Sequence, residues 1–296
     1  MKIATKITTN NKNKEGKYKE ALKMMGYTAG AGAFILFFRW MQLMLNFDDA
    51  GLNTSGFWNA WVIIAMLGFA ALFQLFIRDY RKRERFISKR FSTAFHAEGK
   101  IYTAIRWLCC LITCAGGLLI LSKAEEATYI VFDVGFGGLG LLTGLVYPLI
   151  TGRANNSSDE GKGMRFLSFI PILFFAWWVI TIYRYNALNA NRWEFIPVLI
   201  LSMSGMLCWL RLSSWHYGVP DPDAAMFLCM LTAMLSFMCI PGEKPFGQTL
   251  LIAGTGLMEL FNVWVLALNM KKKKLRVNID DQPSDDEDDG GFVTLN

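Results

Sequence analysis

The sequence predicts an all-α integral membrane protein, a bundle of about eight transmembrane helices with both termini cytoplasmic. Three observations carry that prediction. First, 53% of the 296 residues are apolar and only 18% are charged, whereas a soluble domain clothes its surface with about a quarter charged residues. Second, the charges are clustered, leaving about eight stretches near the ~20 apolar residues that cross a bilayer. Third, Lys and Arg alternate along the chain. Of 30 in all, 24 fall before the first span, in 78–100, 152–165 and 211–222, and after 270, against 4 in the intervening connections. Lys and Arg mark the cytoplasmic side, and a missed helix would scramble this alternation.

Taken in order, residues 1–23 are lysine-rich and aperiodic, and are expected to be flexible. The spans then read 24–46, 57–77, 101–122, 128–152, 165–185, 194–212, 223–240 and 246–269, the whole of 24–270 forming one transmembrane domain. The stretch after Lys23 is too long for a secretory h-region and no small-residue cleavage site follows it, so it counts as a span of the mature protein. Trp58, Trp61, Tyr183, Tyr185, Trp193, Trp215 and Tyr217 fall near the span ends, where indole and phenol rings favour the lipid–water interface. Between spans six and seven, "YGVPDPDAA" reads as a rigid turn and helix start, with Asp223 near the positive end of the helix dipole.

Two charged segments flank the bundle. In 78–100, Ile87, Phe91 and Phe95 repeat every four residues, with Arg81, Lys82, Arg83, Arg85, Lys89 and Arg90 around them. This predicts a basic amphipathic helix lying on anionic lipid headgroups at the cytoplasmic face. Residues 271–296 join a basic cluster to a tail rich in Asp and Glu, which is expected to be disordered.

The candidate site lies in the last span. Glu259 falls near mid-bilayer, where a lone carboxylate costs several kcal/mol unless protonated, paired or hydrated. Gln248, Thr255, Glu259 and Asn262 are offset by 0, 7, 11 and 14 residues, which places them within about 60° on one helical face. That stripe is predicted to face the bundle interior. In the fourth span Asp133, Gly137, Gly140 and Gly144 also share a face, and the glycines suit close helix packing. Arg39 shares a face with Gln42 and Asn46 in the first span. Arg39 and Asp133 lie at similar depth, roughly 8–10 Å below the outer boundary, so an ion pair between them is expected.

Other chemistries lack their residues. The two histidines, His96 and His216, fall in connections rather than facing each other within spans, which argues against transmembrane haem. Glu125 and Glu126 have no histidine partners for metallopeptidase chemistry, and no H-E-x-x-H, C-x-x-C or Walker loop occurs. Ser202 and Ser204 lack a histidine or lysine within their span. The six cysteines all fall inside spans and read as small buried hydrophobes rather than disulfides or metal ligands. The expectation is a non-catalytic assembly or regulatory protein, without cofactor or nucleic acid, whose partner is the lipid of a bacterial cytoplasmic membrane. The alternative is a small secondary carrier with a protonatable Glu259.

Overall fold

A computed structural model describes residues 2–45, 56–82, 85–88, 90–154, 162–186 and 192–272. Ten α-helices, two short 3-10 helices and one two-stranded ribbon appear among them. In chain order the α-helices and strands are α1 (Lys2–Leu45), α2 (Phe57–Lys82), β1 (Arg85–Phe86), α3 (Phe91–Ala94), α4 (Lys100–Ser122), α5 (Ile130–Arg153), α6 (Lys162–Leu167), α7 (Phe169–Asn186), α8 (Arg192–Ser213), α9 (Pro222–Cys239), α10 (Phe246–Leu268) and β2 (Lys271–Lys272). Eight helical segments are long and apolar enough to cross a membrane. Their outward side chains are apolar as well: Leu67 is 61% exposed and Val131 72%. A water-soluble monomer rarely leaves so much contiguous apolar surface uncovered, and lipid is the solvent that covers it here.

Six of the spans pack in a closed cycle. α4 lies on α5, α5 on α7, α7 on α8, α8 on α9, α9 on α10, and α10 returns to α4. α1 packs outside this ring against α9 and α10, and α2 against α1 and α9. Glycines set the closest approaches. A Cβ on Gly117 of α4 would lie 2.7 Å from the Gly137 carbonyl oxygen of α5, and one on Gly116 would lie 2.8 Å from the Gly247 carbonyl oxygen of α10. Without a side chain the two backbones meet directly, and dispersion replaces the hydrophobic effect as the source of cohesion in lipid.

A ring of six helices has an axis that side chains must fill. Tyr147 reaches across from α5 to α10, its hydroxyl 3.2 Å from both the Met258 carbonyl oxygen and Asn262 Oδ1, and it meets Trp209 of α8 edge to face. Phe174, Phe175 and Trp178 of α7 are also fully buried. At the end carrying the 123–129 and 240–245 connections the axis is not filled. There it opens into a cavity.

The opposite end is closed by the chain between α2 and α4. This segment departs from the amphipathic helix expected for 78–100. α2 runs on to Lys82, β1 pairs antiparallel with β2, and among the described residues between Lys82 and Lys100 only Phe91–Ala94 is α-helical. Ile87, Phe91 and Phe95 are buried, but in protein rather than headgroups. Phe91 stacks on Phe95 and contacts His216, and Phe95 meets Trp215 edge to face. Asn269 donates its side-chain amide to the Ala94 and His96 carbonyls, and the Trp215 indole donates to the Ser88 carbonyl. Tertiary packing therefore takes the apolar residues that a lipid-facing helix would have used. Trp215, expected at the interface, is 1% exposed for the same reason.

α1 runs from Lys2 through the first span to Leu45, and no proline interrupts it. The acidic tail lies outside the described residues.

Candidate functional site

The cavity at the open end of the ring has a volume of about 570 Å³, within the range of small-molecule pockets. The ends of α4, α5, α7, α8 and α10 surround it. Its apolar wall includes Phe136, Trp178 and Phe195, and its polar groups include Asp133, Thr181, Tyr185, Asn186 and Gln248. Phe136 packs on Trp178 and stacks on Phe174, which fixes the aromatic side of the wall. Asp133, in the first turn of α5, accepts a 2.8 Å hydrogen bond from the Tyr185 hydroxyl. Two lysines and three carboxylates line the cavity: Lys123, Lys244, Asp133, Glu126 and Glu243. Lys244 is engaged with the end of α9, donating to the Cys239 and Pro241 carbonyls at 2.8 and 2.7 Å. Cation-to-carbonyl contact of this kind suits the negative end of a helix dipole. The balance left facing the cavity is acidic. The buried indole N–H of Trp178 has no partner among the described residues.

A second polar centre lies deeper on the ring axis. Glu259 sits 11 residues beyond Gln248, or about 16 Å along the helix, and is fully buried. Its Oε2 accepts from the Cys208 thiol at 3.3 Å and from the Asn262 amide at 3.1 Å. Its Oε1 has no partner among the described residues. Cys208 Sγ is 3.4 Å from Cys229 Sγ. One turn along, Ser204 of α8 and Thr232 of α9 share a 2.7 Å hydrogen bond. Asn262 also lines a small cavity of about 10 Å³ with Thr151, Ser213 and His216, room for about one water.

The stripe of α10 thus faces the ring interior, with Gln248 at the cavity and Thr255, Glu259 and Asn262 buried below it. The Gly face of α5 divides. Gly137 and Gly144 meet α4, while a Cβ on Gly140 would approach Leu251 of α10 and Phe174 of α7. Arg39 and Asp133 do not meet. Arg39 donates to Gln42 Oε1 at 2.6 Å, and the Gln42 amide donates in turn to Asn59 of α2. The reason is lateral rather than vertical. α1 packs outside α9 and α10, whereas Asp133 starts α5 and turns to Tyr185 on α7. Equal depth does not bring two residues together across a ring wall. Arg81, Lys82 and Arg90 are exposed, and Arg81 forms an ion pair with Asp223 at 3.7 Å. Arg83 and Lys89 lie outside the described residues, and Arg85 contributes backbone pairing to β1.

Sequence reasoning missed Tyr147, Cys208, Trp209 and Cys229 as neighbours of Glu259. A signal was present. Ser204 and Cys208 stand four apart in one span, and Cys229 and Thr232 three apart in the next, so each pair shares a helical face. Read as lone buried thiols, the cysteines carried no hint of convergence. Comparison with known protein families, with curated proteins and with solved structures finds no match to this chain.

Proposed function

We propose that the chain is a non-catalytic membrane protein that binds a small amphipathic cation in the cavity at the mouth of the ring, and that binding serves regulation or assembly. The observation that carries this reading is the 570 Å³ cavity with aromatic walls and more carboxylates than free cations. Phe136 and Trp178 offer ring faces to an apolar cation, and Asp133 offers charge. The bias of Lys and Arg supports both termini being cytoplasmic. On that orientation the mouth opens away from the cytoplasm. Ligand occupancy would shift how the ring packs on α1 and α2, the two helices outside it.

The test uses purified full-length protein and tetraphenylphosphonium as the probe, followed by equilibrium dialysis. Saturable binding is expected, weakened about tenfold, or 1.4 kcal/mol, by Trp178→Ala or Asp133→Asn. Binding that both variants leave unchanged would remove the reading.

A second reading, a small secondary carrier, has one observation in its favour. Gln248 touches the cavity, and the same polar stripe continues inward to Glu259. It needs a route between the two, and Glu259 is not among the residues lining the cavity. Vesicles holding wild type or Glu259→Gln, loaded with a pH-sensitive dye, separate the readings. Probe-driven proton movement lost in Glu259→Gln would favour the carrier. Equal traces would favour binding alone.

A further inference from the structure

We propose that Cys208, Cys229 and Glu259 form a binding site for one thiophilic divalent metal ion, Zn²⁺ being the best fit, which staples α8, α9 and α10 at the middle of the bundle. Four observations carry this. The potential ligand atoms of the three residues lie within 4.8 Å of one another, and all three residues are buried. The spacing suits one shared ion. Tetrahedral Zn–S bonds of about 2.3 Å and Zn–O bonds of about 2.0 Å place ligand atoms about 3.5–3.8 Å apart, against 3.4 Å for Sγ to Sγ and 3.3 Å for Cys208 Sγ to Glu259 Oε2. Small ligand movements close that gap. Glu259 Oε1, without a partner among the described residues, gives the site an unused donor. Finally, the ligands come from three successive spans, so the site forms only in the folded bundle.

Metal ligation by cysteine requires the thiolate, so binding releases protons. Ligation by both thiolates and the Glu259 carboxylate releases two protons, and a third where the carboxyl starts protonated, and the loaded site carries one formal negative charge beside the Asn262 amide that donates to Oε2. Two thiolates select a borderline or soft ion over Mg²⁺ or Ca²⁺, which take oxygen ligands. Around the ligands, Asn262 holds the carboxylate and Tyr147 holds Asn262. Such outer hydrogen bonds orient metal ligands. The site is independent of the ligand reading for the cavity, which shares none of its three residues.

The experiment starts from full-length protein purified in detergent under reducing conditions without chelator. Elemental analysis is expected to give one Zn²⁺ per chain. After metal removal, Co²⁺ is expected to produce the near-ultraviolet thiolate charge-transfer bands and visible bands of a tetrahedral site, displaced by Zn²⁺. Cys208→Ser and Cys229→Ser should each abolish the bands, while Cys239→Ser, a buried cysteine outside the cluster, should keep them. Should the serine variants fail to fold, thiol counting on the wild type decides. Zn²⁺ is expected to protect two thiols from alkylation. The proposal is overturned if monodisperse wild-type protein binds no metal and shows no thiolate bands, or if Cys208 and Cys229 prove to be disulfide-bonded in native membranes.

Discussion

α2 and α10 are both apolar spans and live in opposite surroundings. The membrane-spanning stretch of α2 is the most apolar of the eight, yet only 17% of it is buried. That of α10 is less apolar and 72% buried. In water the order would be reversed. In lipid, apolarity earns no place in the interior, because acyl chains solvate Leu as well as another Leu does. What draws α10 inward is a set of small and polar side chains: Gly247, Gly254 and Gly256 for contact, Thr255, Glu259 and Asn262 to keep away from hydrocarbon. α2 has one glycine in mid-span, Gly68, with nothing near it.

Several substitutions would break or sharpen that contrast. The largest effect is expected for Gly117→Leu, whose Cβ would overlap the backbone of α5 at 2.7 Å. Overpacking against backbone should cost about 3 kcal/mol or more, seen as loss of monodisperse protein or a collapse of the melting temperature. Gly68→Leu in α2 should leave both unchanged. Next, Leu251→Ala in α10 removes a side chain with no exposure and should cost about 2–4 kcal/mol. The same change at Leu67 of α2, 61% exposed, should stay within about 0.5 kcal/mol. Equal losses at the two leucines, measured by unfolding from mixed micelles, would show that the ring is not the stable unit. The smallest effect belongs to Tyr147→Phe, which deletes one interhelical hydrogen bond across the axis. Such bonds average about 0.6 kcal/mol in membranes, so the melting curve should barely move. A loss of several kcal/mol would show that the Tyr147–Asn262–Glu259 chain acts as a unit.

The two polar regions of the ring differ in the same instructive way. The mouth is wide and its groups reach solvent, so Asp133 and Gln248 can meet a ligand. The centre is packed, and Glu259 there is fully buried beside Cys208 and Asn262. A single stripe on α10 reaches both, with Gln248 at the cavity and Thr255, Glu259 and Asn262 buried below it.

The sequence by itself determined the helical class, the presence of eight apolar helices long enough to span, and the inward direction of the Gln248–Asn262 stripe. Each follows from a local rule: a hydrocarbon layer about 30 Å thick demands satisfied backbone over ~20 residues, and the 3.6-residue period assigns faces. The tertiary structure decided which faces meet. It placed α1 outside the ring and so separated Arg39 from Asp133. It packed Phe91 and Phe95 onto His216 and Trp215 instead of onto lipid, and it brought Cys208 and Cys229 to Glu259 from two other helices. The physical reason is that spacing along a helix fixes direction about its own axis, while the order of helices around a ring depends on which small residues let backbones touch. No single span contains that information.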